Sequence, residues 1–230
     1  MKIDFNNFES SESLVKSFAN EIVLKLSEAI EEKGYGVLFV SGGNTPKPLF
    51  QYLSRCDLEW NKIKIGLVDE RWVDETHKDS NAKLVKENLL QNKAKYATFI
   101  PMYQEGKEAN DSTHLCAQLL KDNCAPCDVL ILGMGDDAHT ASLFPKNIKL
   151  KEALSTKDCC ISMTPEYAPH TRMSLSLNAI LQARNVYLHI QGKKKKEIYD
   201  KALIAEDYLL SPISAVLQNE QKDIKVYYNE

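Results

Sequence analysis

The sequence has little charge imbalance and no long apolar stretch. Its 29 lysines and arginines stand against 32 aspartates and glutamates, which leaves a net charge of -3. Such a balance provides no basic surface for nucleic acid or for an anionic membrane. No stretch approaches the ~18 apolar residues of a membrane span. We therefore expect neither nucleic acid nor a membrane as a partner, and any bound anion must be held by local groups.

Cysteines are also few, six in 230 residues, which excludes a disulfide scaffold. Cys124 and Cys127 form a C-x-x-C pair, but no second pair or neighbouring histidine completes a zinc set. The first residues lack the basic segment and the apolar run of a secretory signal. We expect reduced thiols and a cytoplasmic protein.

Short apolar runs alternate with segments of helical periodicity along the chain. The expected strands are 37–40, 63–68, 99–102, 129–132, 159–163, 186–190 and 224–228. The expected helices are 11–32, a segment after 46, 81–91, 108–122, 174–183 and 193–205. Apolar strands between helices predict an α/β fold with a doubly wound, mostly parallel sheet and helices on both faces. Because no linker or repeat interrupts the pattern, residues 1–230 are expected to form a single domain.

In such sheets the ligand lies beyond the carboxyl ends of the strands, which selects the turns 41–46, 69–81 and 133–145. The first turn reads S-G-G-N-T-P. Its glycines let the backbone approach an anion, and its N–H and hydroxyl groups can donate to a phosphate. The alternative is a tight turn in which Thr45 caps the following helix.

The third turn places carboxylates and an imidazole at a strand end. A carboxylate that orients His139 would make it a better general base at neutral pH, and the spacing allows either Asp136 or Asp137 to do so. No serine or cysteine nucleophile is required if that base activates water. The alternative is an aspartate that caps a helix, with His139 merely following it. Surface or packing roles are expected for the other histidines, His77, His114, His170 and His189.

Cations stand near the same edge of the expected sheet. Arg71 directly follows a predicted strand, and a guanidinium there can clamp a carboxylate or a phosphate with two parallel bonds. The alternative is an ion pair between Arg71 and Asp69 or Glu70. Arg172 and the lysine run 193–196 are further candidates, and the pattern leaves open which lysine faces inward.

Together these motifs resemble the glucosamine-6-phosphate isomerase/6-phosphogluconolactonase family, and within it the 6-phosphogluconolactonase subfamily. The strong marks are S-G-G-N-T-P at 41–46, D-E-R-W-V at 69–73 and G-M-G-D-D-A-H-T-A-S-L-F-P at 133–145. Weaker marks are P-x-x-R-x-S at 169–174 and G-x-x-K at 192–195. The resemblance implies a Rossmann-like fold of the sugar-phosphate isomerase and lactonase type. It also implies hydrolysis of 6-phospho-D-glucono-1,5-lactone to 6-phosphogluconate, in the oxidative pentose phosphate pathway, without a cofactor or metal.

The same resemblance implies roles for individual residues. His139 would be the catalytic base, and Asp137 would be the carboxylate that orients it. Substrate-binding residues would be Gly42, Gly43, Asn44, Thr45, Arg71, Arg172 and Lys195. Among these, Arg172 and Lys195 would bind the phosphate together with the loop 42–45.

The chain departs from the family pattern at two positions. Ala138 stands where the family usually has glycine between aspartate and histidine, and Ser174 stands where threonine is usual. A left-handed backbone at position 138 would strain an alanine by ~1 kcal/mol. We expect instead a backbone at position 138 that alanine adopts without strain, which excludes a φ near +60°.

The sequence motifs also have three alternative interpretations. A glucosamine-6-phosphate deaminase has a similar phosphate turn, but these enzymes typically carry an aromatic residue where Arg71 stands. A sugar-phosphate sensor behind a DNA-binding helix pair is not favoured, because the first helical segment already begins by residue 11. The third alternative is a homologue that binds a phosphosugar without turnover, and the departure at Ala138 leaves this interpretation open. Nothing in the pattern indicates an oligomeric state.

Overall fold

The structure is a computed structural model that describes residues 2–230. Its strands are β1 (Ile3–Phe8), β2 (Gly36–Val40), β3 (Ile63–Leu67), β4 (Asp69–Arg71), β5 (Thr98–Phe99), β6 (Val129–Leu132), β7 (Cys160–Met163), β8 (Arg172–Leu175), β9 (Asn185–Gln191) and β10 (Ile224–Asn229). Its α-helices are α1 (Ser11–Lys33), α2 (Lys47–Leu53), α3 (Asn81–Asn88), α4 (Ala109–Cys124), α5 (Leu150–Ser155), α6 (Leu177–Gln182), α7 (Lys193–Ala202) and α8 (Pro212–Leu217). Within residues 2–230, no helix combines the length and the apolar character needed to cross a membrane.

Seven strands form one sheet in the order β1-β10-β9-β6-β2-β3-β5. Every neighbouring pair in this sheet is parallel. Strand β1, the first in the chain, pairs with β10, the last, from Ile3 beside Ile224 to Phe8 beside Asn229. Strands from both ends of the chain therefore lie side by side at one edge of the sheet.

Helices cover both faces of this sheet. On one face, Phe18 of α1 stacks on Tyr227 with 4.0 Å between ring centroids, and Phe8 of β1 stacks on the same tyrosine. Phe5 lies an odd number of residues from Phe8, so it points to the other face, where it packs against Tyr199 of α7. The predicted α/β fold, with a doubly wound parallel sheet, is confirmed.

Helix α1 lies against the sheet because its apolar residues recur at helical spacing. Its fully buried stripe consists of Leu14, Phe18, Ile22 and Leu26. Ser10 caps the helix by accepting the backbone N–H of Ser13. Gly34 ends it in the left-handed conformation, with φ of +84°, which glycine adopts without strain.

A second sheet of three antiparallel strands, in the order β4-β8-β7, was not predicted. The predicted strand 159–163 belongs to this sheet rather than to the parallel one. The predicted helix 174–183 was wrong at its start, because residues 172–175 form strand β8 and only the remainder is helical, as α6. Strands β4 and β8 carry buried polar residues, so the apolar pattern that marks the other strands does not mark them.

The remaining differences concern short or partly exposed elements. Strand β1 has only intermediate burial along most of its length and gives little apolar signal. Helices α5 and α8 have six residues each and were not predicted. The strand expected at 99–102 is the two-residue β5. None of these changes the order of the elements that reach the carboxyl edge of the parallel sheet.

Candidate functional site

A cavity of about 260 Å³ opens at the carboxyl ends of β2, β6 and β9. The turns 41–46, 69–81 and 133–145, which the sequence selected, all contribute to its wall. The end of β9 and the first turns of α7 complete it through Gln191 and Lys195. The position agrees with the rule that open α/β sheets bind ligands beyond the carboxyl ends of their strands.

His139 lies on the wall of this cavity and is paired with Asp137. Its Nδ1 is 2.5 Å from Oδ1 of Asp137, which also accepts the backbone N–H of His139 at 3.2 Å. Burial would raise the pKa of Asp137, but the hydrogen bonds and charge of His139 outweigh it, so the pKa lies below its usual value. Whenever the ring is neutral, an ionised Asp137 favours the tautomer with the proton on Nδ1, in which Nε2 can accept a proton.

The two sequence alternatives for this turn are thereby decided by geometry. Asp137, and not Asp136, contacts His139. Neither aspartate caps a helix, because the next helix after β6 is α5, which begins at Leu150.

The turn that forms this pair requires an unusual backbone. The N–H of Gly135 donates to the carbonyl of His139 at 2.8 Å, and the N–H of Ala138 donates to the carbonyl of Gly135 at 3.2 Å. Ala138 has φ of +65°, so the expectation of an unstrained alanine was wrong. The tight turn that brings Asp137 back to His139 needs a left-handed residue between them, at a cost of ~1 kcal/mol for alanine.

Gly135 has a separate steric role beneath the pair. A Cβ built at this position would lie 2.0 Å from Nδ1 of His139 and 2.5 Å from Oδ1 of Asp137. The imidazole and the carboxylate therefore pack directly on the backbone of Gly135, and any side chain there would displace them.

Asp136 is bound by two lysines of α7 instead of by the histidine. Its carboxylate oxygens lie 2.6 Å from Nζ of Lys194 and 2.7 Å from Nζ of Lys195. These hydrogen bonds lower the pKa of Asp136 to about 2. Lys195 also donates to the carbonyl of Met134 at 2.6 Å and lines the cavity, whereas the Lys194 side chain is 71% exposed. The structure thus places Lys195 on the wall of the cavity, and Lys194 outside it.

Arg71 and Arg172 are brought together by the antiparallel pairing of β4 with β8, where they are direct partners. Arg71 lines the cavity, and its Nη1 donates to the carbonyl of Asp79. Among residues 2–230 it forms no ion pair with Asp69 or Glu70, which was the alternative reading. Its guanidinium is therefore a cation available to an anionic ligand.

Arg172 is buried behind this wall rather than exposed on it. Its Nε and Nη1 have no hydrogen-bond partner within residues 2–230. Burial lowers the pKa of Arg172, and the positive charge of Arg71 lowers it further. Two adjacent guanidinium groups with unused donors form a positive region that an anion would stabilise.

The turn 41–46 supplies Gly42, Gly43 and Thr45 to the cavity wall, but not Asn44. Thr45 does not cap α2, because the capping position is Pro46 and no side chain forms a capping bond there. A Cβ on Gly42 would lie 1.9 Å from Oδ1 of Asn81, so only glycine fits. The close approach of these two residues keeps the turn against the start of α3.

Glu70 fixes the start of α3 from beneath. Its fully buried carboxylate accepts the backbone N–H groups of Asn81 and Ala82, each at 2.7 Å, and the hydroxyl of Ser80 at 3.2 Å. Burial raises the pKa of Glu70 to about 7, against the lowering effect of these backbone hydrogen bonds. In the D-E-R motif, therefore, Glu70 positions the backbone, and Arg71 faces the cavity.

The sequence did not predict Asp69, Asn81, His189 and Gln191 as residues of the cavity wall. Asp69 accepts the hydroxyl of Ser142 at 2.5 Å and so connects the second turn to the third. From the sequence, Asp69 is predicted only as a possible ion-pair partner of Arg71. For His189 the sequence predicts a surface or packing role, and its place near the end of a predicted strand is the one feature that points to the cavity.

One cluster outside the cavity has a spacing that could hold a metal ion. One ligand atom each of His77, Asp79 and His170 lies within 4.8 Å of the others. Nδ1 of His77 already accepts the backbone N–H of Asp79 at 3.1 Å, and Nε2 of His170 is 3.1 Å from Oδ2 of Asp79. Nδ1 of His77 and Nε2 of His170 therefore already contact Asp79, and we assign no metal to this cluster.

Comparison with known proteins gives a consistent family. The family described as glucosamine-6-phosphate isomerases/6-phosphogluconolactonase matches residues 9–226. A 6-phosphogluconolactonase of Rhizobium meliloti (strain 1021) is 36% identical over 230 residues, which are 99% of this chain and 99% of that protein. One from Neisseria meningitidis serogroup B (strain ATCC BAA-335 / MC58) is 40% identical over 230 residues, covering 98% of this chain and 99% of its own.

A solved structure agrees with these relatives. The crystal structure of a 6-phosphogluconolactonase from Shewanella baltica OS155 is similar with a TM-score of 0.97 and 38% identity, covering 100% of this chain and 98% of that one. The chain therefore belongs to the glucosamine-6-phosphate isomerase/6-phosphogluconolactonase family, in which it groups with the 6-phosphogluconolactonases.

Proposed function

We propose that this chain, as a single cytoplasmic domain without metal or cofactor, hydrolyses 6-phospho-D-glucono-1,5-lactone to 6-phosphogluconate in the oxidative pentose phosphate pathway. The observation that carries the proposal is the Asp137–His139 pair, with Nδ1 and Oδ1 2.5 Å apart, on the wall of a cavity that also holds Arg71 and Lys195. A general base and fixed cations in one cavity suit an ester substrate that carries a phosphate.

In the proposed reaction, His139 activates a water molecule. Nε2 of His139 takes a proton from water as the oxygen attacks C1 of the lactone, and Asp137 stabilises the imidazolium that forms. The tetrahedral oxyanion then expels the ring oxygen, which takes the proton back from Nε2. The new carboxylic acid releases its own proton to solvent at neutral pH. Each proton is thus accounted for, and the histidine returns to its neutral form.

Positively charged groups and backbone N–H groups hold the two ends of the substrate. Lys195 and three of the four residues of the loop 42–45 line the cavity, where they can supply a cation and N–H donors for the phosphate. Arg172 adds positive charge from behind Arg71, which is close enough to the cavity to meet the developing oxyanion. Binding energy from the phosphate positions C1 for attack.

The decisive experiment is a coupled assay with freshly prepared lactone, corrected for spontaneous hydrolysis. We expect His139→Asn to lower kcat by about 10²–10⁴-fold, the usual contribution of a general base, with the fold intact by circular dichroism. His114→Asn, at an exposed position of α4, is the matched control and should keep wild-type turnover. Near-normal kcat in His139→Asn would remove His139 from the mechanism.

The same preparation tests the two remaining alternatives. Release of ammonia from glucosamine 6-phosphate would indicate the deaminase activity that the family name also covers. Binding of 6-phosphogluconate without lactone turnover by the wild-type protein would indicate a binding protein. We expect no ammonia and catalytic turnover, because Arg71 faces the cavity and the histidine is paired.

A further inference from the structure

His189 is a buried polar residue on the wall of the cavity that the mechanism above does not use. It is only 6% exposed, and it lines the cavity near the end of β9. Its Nδ1 has no hydrogen-bond partner anywhere in residues 2–230. A buried N–H is seldom left unpaired, so the unpaired Nδ1 indicates which ring nitrogen carries no proton.

His189 and the loop 42–45 line the same cavity. Tyr187 and His189 share one face of β9, and both pack against Phe18 of α1, with ring centroids 5.3 and 5.6 Å away. Helix α2 packs against α1, and the turn 41–46 leads directly into α2. The histidine and the loop therefore lie on the same face of the sheet.

The strand register brings them to the same level. Leu132 of β6 pairs with Leu188, so His189 and Gly133 both follow directly after this pair. On the other side of β6, Ile131 pairs with Val40, after which the turn 41–46 begins. A ligand group held by that turn is thus within the part of the cavity that His189 borders.

The burial of the ring determines which hydrogen bond it can make. Burial lowers the pKa of His189 to about 4, so the imidazole is neutral at neutral pH and carries one N–H. An orphaned buried N–H is rarer in proteins than an under-satisfied acceptor, which favours the tautomer with a bare Nδ1. The proton is then on Nε2, the nitrogen left for the cavity.

We propose that His189 is a positioning residue that donates a hydrogen bond from Nε2 to the phosphate of the bound substrate. The inference rests on the proposed function. A phosphate group offers only acceptors, and a neutral N–H adds a charge-assisted hydrogen bond without placing a second buried cation beside the phosphate. In this arrangement the loop 42–45, Lys195 and His189 approach the phosphate from different elements of the fold.

The test compares three substitutions at this position. His189→Leu keeps the apolar contact with Phe18 and removes the donor. His189→Gln can place an amide N–H close to the position of Nε2, whereas the shorter side chain of His189→Asn reaches only the position of Nδ1. We expect KM for the phosphorylated lactone to rise about tenfold in the Leu and Asn variants, with kcat within twofold of wild type, and to recover in the Gln variant.

A calorimetric titration with 6-phosphogluconate and a kinetic assay with an unphosphorylated lactone separate a phosphate contact from a general effect on the cavity. The affinity for 6-phosphogluconate should fall about tenfold in His189→Leu. KM and kcat for D-glucono-1,5-lactone, which has no phosphate, should not change. Equal losses with both substrates, equal losses in the Leu and Gln variants, or wild-type affinity in His189→Leu would each overturn the proposal.

Two further measurements keep the proposal testable if a variant does not fold or if the protein is inactive. If His189→Leu does not fold, a ¹⁵N-histidine NMR titration of the wild-type protein replaces it: Nε2 of His189 should shift on addition of 6-phosphogluconate, and an unchanged resonance contradicts the contact. Failure of the proposed function appears elsewhere, as a wild-type protein that does not hydrolyse the lactone. An active wild type with unaltered His189 variants would refute only the role of His189.

Discussion

His139 and Asp137 are held 2.5 Å apart, Nδ1 to Oδ1, by a turn in which a single residue separates them. Asp136, the residue before Asp137, is turned the other way and bound by Lys194 and Lys195. Two adjacent carboxylates thus have different partners, one an imidazole and the other a pair of ammonium groups. This division allows the contribution of each to be measured separately.

We expect Asp137→Asn to reduce kcat by about 10²-fold or more, because an amide does not hold the ring in the tautomer that leaves Nε2 free. The matched substitution is Asp136→Asn, which leaves the His139 contact in place and frees Lys195. It should alter KM more than kcat. Steady-state kinetics on both variants decide the matter, and an Asp137→Asn enzyme within threefold of wild-type kcat would contradict the orienting role.

Gly135→Ala should lower kcat by at least tenfold, because its Cβ would lie 2.0 Å from Nδ1 of His139 and the ring must move away from Asp137. Gly133→Ala is the steric control, since a Cβ at position 133 meets nothing within 4 Å. We expect a smaller loss of kcat in Gly133→Ala than in Gly135→Ala. Equal kinetics for the two variants would show that the imidazole does not depend on the bare backbone beneath it.

Ala138→Gly should stabilise the protein by about 0.5–1 kcal/mol. The left-handed backbone costs alanine ~1–2 kcal/mol, and glycine would relieve this strain. The greater conformational freedom of glycine in the unfolded chain offsets ~0.4–1 kcal/mol of the gain in the free energy of unfolding. The comparison is urea denaturation of this variant and of Ala153→Gly. Ala153 is a buried interior position of α5, so its variant should lose about 1 kcal/mol from helix propensity and more from the lost methyl group. A destabilised Ala138→Gly protein would mean that the φ of +65° carries no strain.

Stability should fall as the pH drops from about 6.5 to about 4, in part because of His189. Burial lowers the pKa of His189 in the folded protein to about 4, below the usual ~6.5 of the unfolded chain. The unfolded state therefore binds a proton that the folded state does not, and the loss approaches ~1.4 kcal/mol per pH unit within this window. Above pH ~6.5 His189 is neutral in both the folded and the unfolded state, so its full contribution to the free energy of unfolding is present.

Other groups titrate over the same range, so the measurement is a difference between variants. Urea denaturation at pH 7, 6, 5 and 4 should show a shallower loss in His189→Leu than in the wild type. His114→Leu, at an exposed position, should follow the wild type. Parallel curves for the wild type and His189→Leu would mean that His189 titrates alike in the folded and unfolded chains.

The parallel sheet and the three turns at its edge could be predicted from the sequence because their signals are local. Apolar runs such as 129–132 mark buried strands, and the glycine-containing turns directly follow them. The second sheet could not be predicted in this way. Its strands β4 and β8 carry Asp69, Arg71 and Arg172 at positions where an apolar pattern would be needed, and their pairing joins segments about a hundred residues apart.

The details of the site follow the same division. Spacing alone indicated that His139 could contact a neighbouring aspartate, whereas the choice of Asp137 over Asp136 depends on the path of a single turn. The φ of Ala138 was predicted wrongly because glycine's usual place in the family was the correct guide to the backbone, and the alanine was not. His189 gave no signal, since its role depends on which face of β9 lies toward α1.

The pairing of β1 with β10 has a consequence for synthesis on the ribosome. Strand β1 has a single neighbour in the parallel sheet, and that neighbour is the last strand of the chain. Residues 3–8 are translated about two hundred residues ahead of the segment 224–229 that pairs with them, so they have no partner strand in the meantime. An unpaired strand edge is a template for association with other chains, so residues 3–8 of an unfinished chain should be more prone to association than the same residues in the folded protein.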